Sequence, residues 1–508
     1  MIPPRPGAII RSRARTALAR THEPTESVAA LRDAVAVFLL AAAAVVYGGV
    51  NHYRLAHFYP LEWDLAIFEQ GLSRLTRLEA PIVTVRGMSL FGDHASFVHV
   101  ILAPLDALLG PALGPHLLLL VQTAALALSG ALLFGVARSR LPAPTARLVL
   151  AAYLLYPPLQ HTWLEYYEPV NLAVPCLIGA WVAIREEQDR AALLWSGLAL
   201  LTMENVALTV AALGGLALVR GRRRLGGVLA GGALGYVLLL MAFVFPRLHP
   251  GGYVYGERLY GDFATDLPGA LAYLARPDRL LGRLAAEGNA TYLAGLLLPA
   301  GFLPLLAPGA LVLAVQLPLN MISSWPYARE IRYHYVAPIV PFVFLAVIEA
   351  LAARPAGGRG RRLGVTLLVT GTLAGQCLFA SPWLTSTRYW RGLARDASER
   401  QETATLLALV PKEASVSAQY RFLPHLARRR QLYMLPDLGP GAGPDAVVVD
   451  IAEAQRSDRD REALRRVLSR CREAGRTSGG TALLWCEEAP PARGLSPPTA
   501  RPSAPPRR

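Results

Sequence analysis

Residues 61–105 read LEWDLAIFEQGLSRLTRLEAPIVTVRGMSLFGDHASFVHVILAPL, Leu61 to Leu105, directly behind the first long apolar run of the chain. Trp63-Asp64, Phe68-Glu69-Gln70 and Gly92-Asp93-His94 give this stretch a density of acids and aromatics that the flanking sequence does not match. Whether it belongs to a soluble core or to a loop over a bilayer decides the fold. The run before it, Leu31–Val50, is long enough at about 1.5 Å per residue to cross the hydrocarbon layer. The quoted stretch therefore reads as an outer loop, residues 51–96, leading into a short apolar segment at Phe97–Leu109. Pro104 and Asp106 interrupt that segment, which favours a half-buried or interfacial helix over a full crossing.

Composition points the same way. Of 508 residues, 53% are hydrophobic and only 17% charged. Mean hydropathy is +0.34, and the apolar residues come in blocks, as in an all-α polytopic membrane protein. The net charge of +15 does not indicate a nucleic-acid partner, because the arginines cluster between apolar blocks and at the chain ends. Such clusters mark the cytoplasmic side. Arg11, Arg13, Arg15 and Arg20 place the N-terminus, residues 1–30, inside, and no small-residue cleavage site follows a short apolar core. The localisation expected is a plasma membrane, crossed many times.

Outward from the quoted stretch, apolar runs follow at 113–136, 148–156, 170–184, 191–219, 225–245, 292–306, 310–321, 335–352 and 363–380. The run 191–219 contains Thr202-Met203-Glu204-Asn205 and ends in Arg220-Gly221-Arg222-Arg223-Arg224. Folding it as two short helices meeting near Glu204 at the outer face keeps every strong arginine cluster on one side. One long helix with a buried Glu would reverse every later loop. The first arrangement gives about eleven crossings over residues 31–381, N-terminus inside and C-terminus outside.

Beyond residue 382 the pattern changes. Residues 414–418, 446–450 and 481–485 read as short strands between helix-like stretches, so 382–488 is expected to form a small extracytoplasmic α/β domain. Residues 489–508, rich in Pro, Arg and Ser, read as a disordered tail. Cys471 and Cys486 could pair if that domain lies in an oxidising compartment, while spacing alone leaves the pairing open. Cys176 and Cys377 sit in apolar runs as small hydrophobes.

Several residues can carry chemistry. Asp64 sits among Trp63, Ile67 and Phe68, where apolar bulk controls the direction and proton affinity of a carboxylate. Inverting glycosyl transfer needs one such carboxylate to remove a proton from an acceptor hydroxyl. Asp64 is the candidate base, with Glu62 and Glu69 as nearby substitutes, and a solvated or capping Asp is the alternative. Asp93 and His94 offer an oxygen and an imidazole to a divalent cation, a phosphate or a hydroxyl, or else form a turn that caps the helix from Phe97. Two residues do not make a metal site, so no cofactor is assigned. Arg329, Arg332 and His334, beside Trp325 and Tyr327, suit a phosphate on a lipid carrier, or an ordinary aromatic belt with a snorkelling arginine. Glu165, Glu168 and Glu204 would face the same outer cavity.

The segments Trp63–Gln70, Phe91–Ser96, Arg332–Tyr335 leading into Pro338 and Pro341, Pro411–Ala418 and Pro424–Leu426 together resemble a family of bacterial multi-spanning proteins catalogued as a domain of unknown function. The resemblance runs from the first apolar run to about Asp450. That family is similar to the GT-C glycosyltransferases, which take sugars from polyprenyl-phosphate donors and place a catalytic acid in the first outer loop. The resemblance thus implies a GT-C-like fold, a lipid-linked sugar donor, a glycan, lipid or protein acceptor, and Asp64 as the acid. The family pattern has a Lys-Glu-Asp-like triplet where this chain has Met203-Glu204-Asn205, and His-Pro where it has Glu168-Pro169, which weakens those two places. A transporter or flippase, or a non-catalytic membrane scaffold, are the competing classes. A transporter concentrates polar groups at mid-span, whereas here they fall in outer loops.

Overall fold

The computed structural model describes residues 33–59, 63–249, 251–261, 272–273, 275–379, 397–441 and 443–486. The N-terminal stretch, the tail, Glu62 and the domain boundary expected at 382 lie outside these residues. The first helix, α1 (Ala34–Ala56), is capped by Asp33, whose side chain accepts from the Ala36 amide at 3.1 Å. It runs past Val50, where the sequence suggested its end. The polar last turns can stay helical because they are buried: Asn51 donates to the Trp163 carbonyl at 2.6 Å, and Arg54 donates to that of Leu164.

The quoted stretch folds as α2 (Asp64–Thr76), a two-strand hairpin β1 (Ile82–Val83) and β2 (Met88–Ser89), a single turn at Leu90–Asp93, and α3 (Val98–Leu113). Helices α4 (His116–Arg138), α5 (Ala143–Leu154), α6 (Pro157–Leu164), α7 (Ala173–Arg185), α8 (Asp189–Leu200), α9 (Val206–Val219) and α10 (Arg223–Leu239) follow. The run 191–219 does break at 201–205, between α8 and α9. Then come α11 (Gly256–Tyr260), α12 (Pro277–Leu284), α13 (Asn289–Leu297), α14 (Leu313–Ile322), α15 (Val340–Ala352) and α16 (Arg359–Leu378).

Among the described residues, Ala34–Ala56, His116–Arg138 and the run Arg223–Leu248 are long and apolar enough to cross a membrane. Val98–Leu113, Ala143–Leu154, Pro169–Arg185, Val206–Val219 and Val340–Ala352 are apolar but shorter. Helix length alone therefore does not reach about eleven full crossings. The apolar run 292–306 shows the reason: α13 stops at Leu297, and Pro304 and Pro308 lie in 3-10 turns at Leu303–Leu306 and Pro308–Val312. Proline removes the amide that would continue the ladder. Gly301 turns at φ +64°, and a Cβ there would lie 2.6 Å from the Leu367 carbonyl, so the chain passes against α16 without a side chain.

The C-terminal unit opens with α17 (Ala397–Ala408) and holds β3 (Val416–Ala418), β4 (Leu432–Met434), β5 (Ala446–Asp450), α18 (Asp458–Leu468), β6 (Cys471–Arg476) and β7 (Thr481–Cys486). Sheet order is β4-β3-β5-β7-β6, parallel across the first three strands and antiparallel across the last two pairings. The three strands read from sequence are present, and β4 and β6 join them. Strand β6, CREAGR, lacks the apolar alternation that marks a strand. Cys471 and Cys486 face each other in register and form a disulfide.

This unit packs on α2. Phe58 and Ala66 share an apolar cluster with Val416, Leu423 and Leu426, and Trp63 packs against its edge. The His425 Nε2 lies 3.0 Å from the Leu55 carbonyl, and Gln70 donates to the Arg429 carbonyl at 3.1 Å.

Candidate functional site

A cavity of about 300 Å³ opens beside the start of α2. Asp64 and Trp63 line it from α2, Arg86 and His94 from the hairpin and turn, Tyr166 and Glu168 from the segment after α6, and Glu204 and Asn205 from the α8–α9 break. Tyr253, Tyr255 and Arg258 come from the segment around α11, Gln316 and Asn320 from α14, and Trp325, Tyr327, Tyr333, His334 and Tyr335 from the loop after it. Segments more than 270 residues apart in sequence thus meet at one place.

Asp64 begins α2, where an acid in the first turn complements the positive end of the helix dipole. It is half-buried, and its charge acts on Arg86, His94, Tyr255 and Tyr335. Trp63 lies under the Arg86 guanidinium, 5.2 Å from ring to cation.

His94 and Glu204 form the second element. The His94 Nδ1 is 2.9 Å from Glu204 Oε1, the Ala95 amide donates to Oε2 at 3.0 Å, and the Tyr253 hydroxyl donates to Oε1 at 3.0 Å. Burial pulls the His94 imidazole down, but the charge and hydrogen bond of Glu204 outweigh it and hold His94 above its ordinary value. Burial likewise pushes Glu204 up, and His94 more than reverses this. Each partner thus favours the charged form of the other.

Asp93 points elsewhere. Its Oδ1 accepts from Arg86 Nε and Nη2 at 3.1 and 2.9 Å and from the Tyr255 hydroxyl at 2.8 Å, and the residue is 1% exposed. It aims Arg86 and Tyr255 at the cavity from behind, while Tyr255 stacks on His94 at 4.5 Å. Asp93 and His94 therefore face different partners, and among the described residues no group of three or more His, Cys, Asp or Glu side chains could hold a metal ion.

The remaining sequence candidates divide. Glu168 and His334 reach the cavity, with Nδ1 of His334 3.4 Å from Glu168 Oε1 and 3.2 Å from the Tyr166 hydroxyl. Burial, with the nearby charge of His94, takes His334 down to about 3, so near neutral pH the ring is uncharged and its contact with Glu168 is not an ion pair. Glu165 is buried but does not line the cavity. Glu69 is buried away from it, 2.8 Å from Arg428. Arg329 donates to the Glu287 carbonyl and Arg332 pairs with Glu330, both off the cavity. Neither arginine lines the cavity. Each is drawn aside by an acceptor close in space.

Sequence reading missed Arg86, Tyr253, Tyr255, Arg258, Gln316 and Asn320. Two signals were available. Arg258, like Arg329 and Arg332, is an arginine in a loop read as external, against the usual charge bias, and Tyr253 and Tyr255 alternate in a Tyr- and Gly-rich segment.

A family model described as a predicted membrane protein, DUF2079, matches residues 54–477. The chain belongs to that family. The match takes in α2, both halves of the cavity and most of the C-terminal unit, so the DUF2079 region contains every cavity residue named above. No curated protein matches the chain. The family description and the apolar helices together make this DUF2079 member a membrane protein.

Proposed function

We propose that this membrane protein is a glycosyltransferase of GT-C-like design. It moves a sugar from a polyprenyl-phosphate donor to an acceptor hydroxyl at the extracytoplasmic face. The observation that carries the reading is the company Asp64 keeps: one carboxylate at a helix start, in a cavity walled by aromatic rings and bordered by Arg86, Arg258 and the His94–Glu204 pair. Aromatic faces suit the C–H faces of a sugar ring and fixed cations suit a phosphate.

In this scheme Asp64 takes the proton of the acceptor hydroxyl as its oxygen attacks the anomeric carbon from the side opposite the phosphate. The bond from the anomeric carbon to the phosphate oxygen breaks, and its electron pair leaves with the lipid phosphate. Positive charge near the departing oxygen stabilises it, as in other sites where charge develops in the transition state. The orientation follows from the basic N-terminus on the cytoplasmic side, and the Cys471–Cys486 disulfide supports an oxidising compartment for the C-terminal unit.

The test compares envelope glycans and accumulated polyprenyl-phosphate sugars among the parent strain, a deletion strain and one carrying Asp64→Asn. The expected result is loss of one glycan modification and build-up of its donor in both altered strains. Unchanged profiles in both would overturn the reading. Labelling of an Asp64→Cys variant only from the cytosolic side would overturn the orientation.

A further inference from the structure

The cavity charges are not evenly matched. Arg86 is taken up by Asp93, and His94 by Glu204. Arg258 lines the same cavity with no carboxylate within ion-pair distance among the described residues. Its guanidinium lies 3.6 Å over the Trp325 ring, which fixes the plane of the fork while leaving its N–H edge available. A guanidinium held in that way presents parallel donors to a tetrahedral oxyanion.

A second, independent observation lies on α14. Gln316 is 5% exposed and lines the cavity, its Nε2 donating to Asn320 Oδ1 at 2.9 Å. Asn320 in turn donates to the Tyr292 hydroxyl and the Tyr335 carbonyl at 2.9 and 3.0 Å. That chain fixes which way both amides face, and it leaves Gln316 Oε1 buried with no donor among the described residues. A buried acceptor without a donor is costly unless a ligand or solvent O–H completes it.

We infer that Arg258, stacked on Trp325, and Gln316 form a subsite for a phosphate ester that carries a neighbouring hydroxyl, Arg258 gripping the phosphate and Gln316 Oε1 accepting from the hydroxyl. Arg258, Gln316 and Asp64 line the same cavity, so a ligand held here shares it with the candidate base. The inference deepens the transferase reading, and the binding it describes stands or falls separately from catalysis. The phosphate ester can come from a lipid carrier or from a soluble sugar phosphate.

The experiment uses full-length protein in detergent, with binding followed by tryptophan fluorescence and calorimetry. The probes are farnesyl phosphate, farnesol, glucose 1-phosphate and inorganic phosphate. Both esters are expected to bind and farnesol to bind about tenfold more weakly than farnesyl phosphate, the cost of losing a charge-assisted contact. Arg258→Gln should weaken both esters about tenfold or more, with Arg258→Lys intermediate and a melting temperature unchanged in each. Gln316→Leu should weaken glucose 1-phosphate and spare inorganic phosphate. Farnesyl phosphate carries no hydroxyl and so reports the Arg258 grip with any tail contact, whereas glucose 1-phosphate reports both contacts. Tighter binding of farnesyl phosphate in the parent and in Gln316→Leu alike assigns the phosphate to a lipid carrier and removes Gln316, and tighter binding of glucose 1-phosphate assigns the subsite to a sugar ester. If neither ester binds, or Arg258→Gln and Arg258→Lys bind both as the parent does, the inference is overturned. An equal loss for all phosphates in Gln316→Leu removes Gln316 from it. Ester binding is read on the parent protein and the glycan phenotype on Asp64→Asn, so a glycan phenotype without ester binding sinks this inference alone, and ester binding without a glycan phenotype sinks the transferase alone.

Discussion

Asp64 and Glu69 are carboxylates on the same helix, little more than one turn apart, and their surroundings differ in every respect. Asp64 opens into a cavity lined by rings and amides. Glu69 is fully buried on the side of α2 that meets the C-terminal unit, where Arg428 Nη1 lies 2.8 Å from both Glu69 Oε1 and Asp106 Oδ1. The Thr76 hydroxyl completes Asp106 at 2.7 Å. One acid lines a cavity; the other is consumed in joining two parts of the protein. An acid on an apolar helix marks a site only when its neighbours leave it accessible. The junction also has a consequence for the cavity, because it holds the helix whose first residue is Asp64.

The comparison can be broken most forcefully at Asp64. Asp64→Asn should lower sugar transfer by about 10²- to 10⁴-fold, the range for a lost general base, while leaving the melting temperature of the purified protein within error. A large fall in melting temperature would show that Asp64 belongs with Glu69 as a structural acid. The junction comes next in size. Arg428→Ala leaves two carboxylates buried without their cation and should destabilise the protein by about 3 kcal/mol, read as a lowered thermal transition in detergent. No shift would mean that the C-terminal unit rests on α2 through its apolar contacts alone.

A smaller effect sharpens the contrast through pH. Burial pushes Glu69 up to about 7, with Arg428 opposing it and Asp106 adding to it. A carboxyl held above its ordinary 4.5 binds its proton more tightly folded than unfolded. Its contribution to stability is fully present below 4.5 and is lost as the pH rises through about 7. Glu69→Gln should therefore flatten the decline in melting temperature across that window, and an unchanged slope would place the titrating group elsewhere. Smallest of all, Arg332→Ala, on an exposed side chain paired with Glu330, should change stability by less than about 0.5 kcal/mol and leave transfer intact. A marked loss of transfer would return Arg332 to the site.

Much of the architecture was open to reading from patterns near in sequence. The break at 201–205 followed from four polar residues inside an apolar run, and the β3, β5 and β7 strands from short β-branched stretches such as Ala446-Val447-Val448-Val449. The extension of α1 to Ala56 was hidden because Asn51 and Arg54 look like loop residues until carbonyls of α6 accept from them. Among the site candidates, Asp64, His94, Glu168, Glu204 and His334 do share one cavity. Asp93, Glu69, Glu165, Arg329 and Arg332 do not line it; Glu69 and Arg329 meet partners far along the chain, which the sequence gives no means of placing, whereas Arg332 pairs with Glu330 two residues before it.

The amino-acid sequence by itself determined that this chain is a membrane protein, where its apolar runs lie, and which segment concentrates acids and rings, because hydropathy and local spacing are properties of neighbours along the chain. Tertiary structure decided which of those acids face a shared space and which are spent on an arginine more than 300 residues away, as Glu69 is on Arg428. The reason is physical: the fate of a charge depends on the few ångströms around it, and those are filled by residues that only folding brings near.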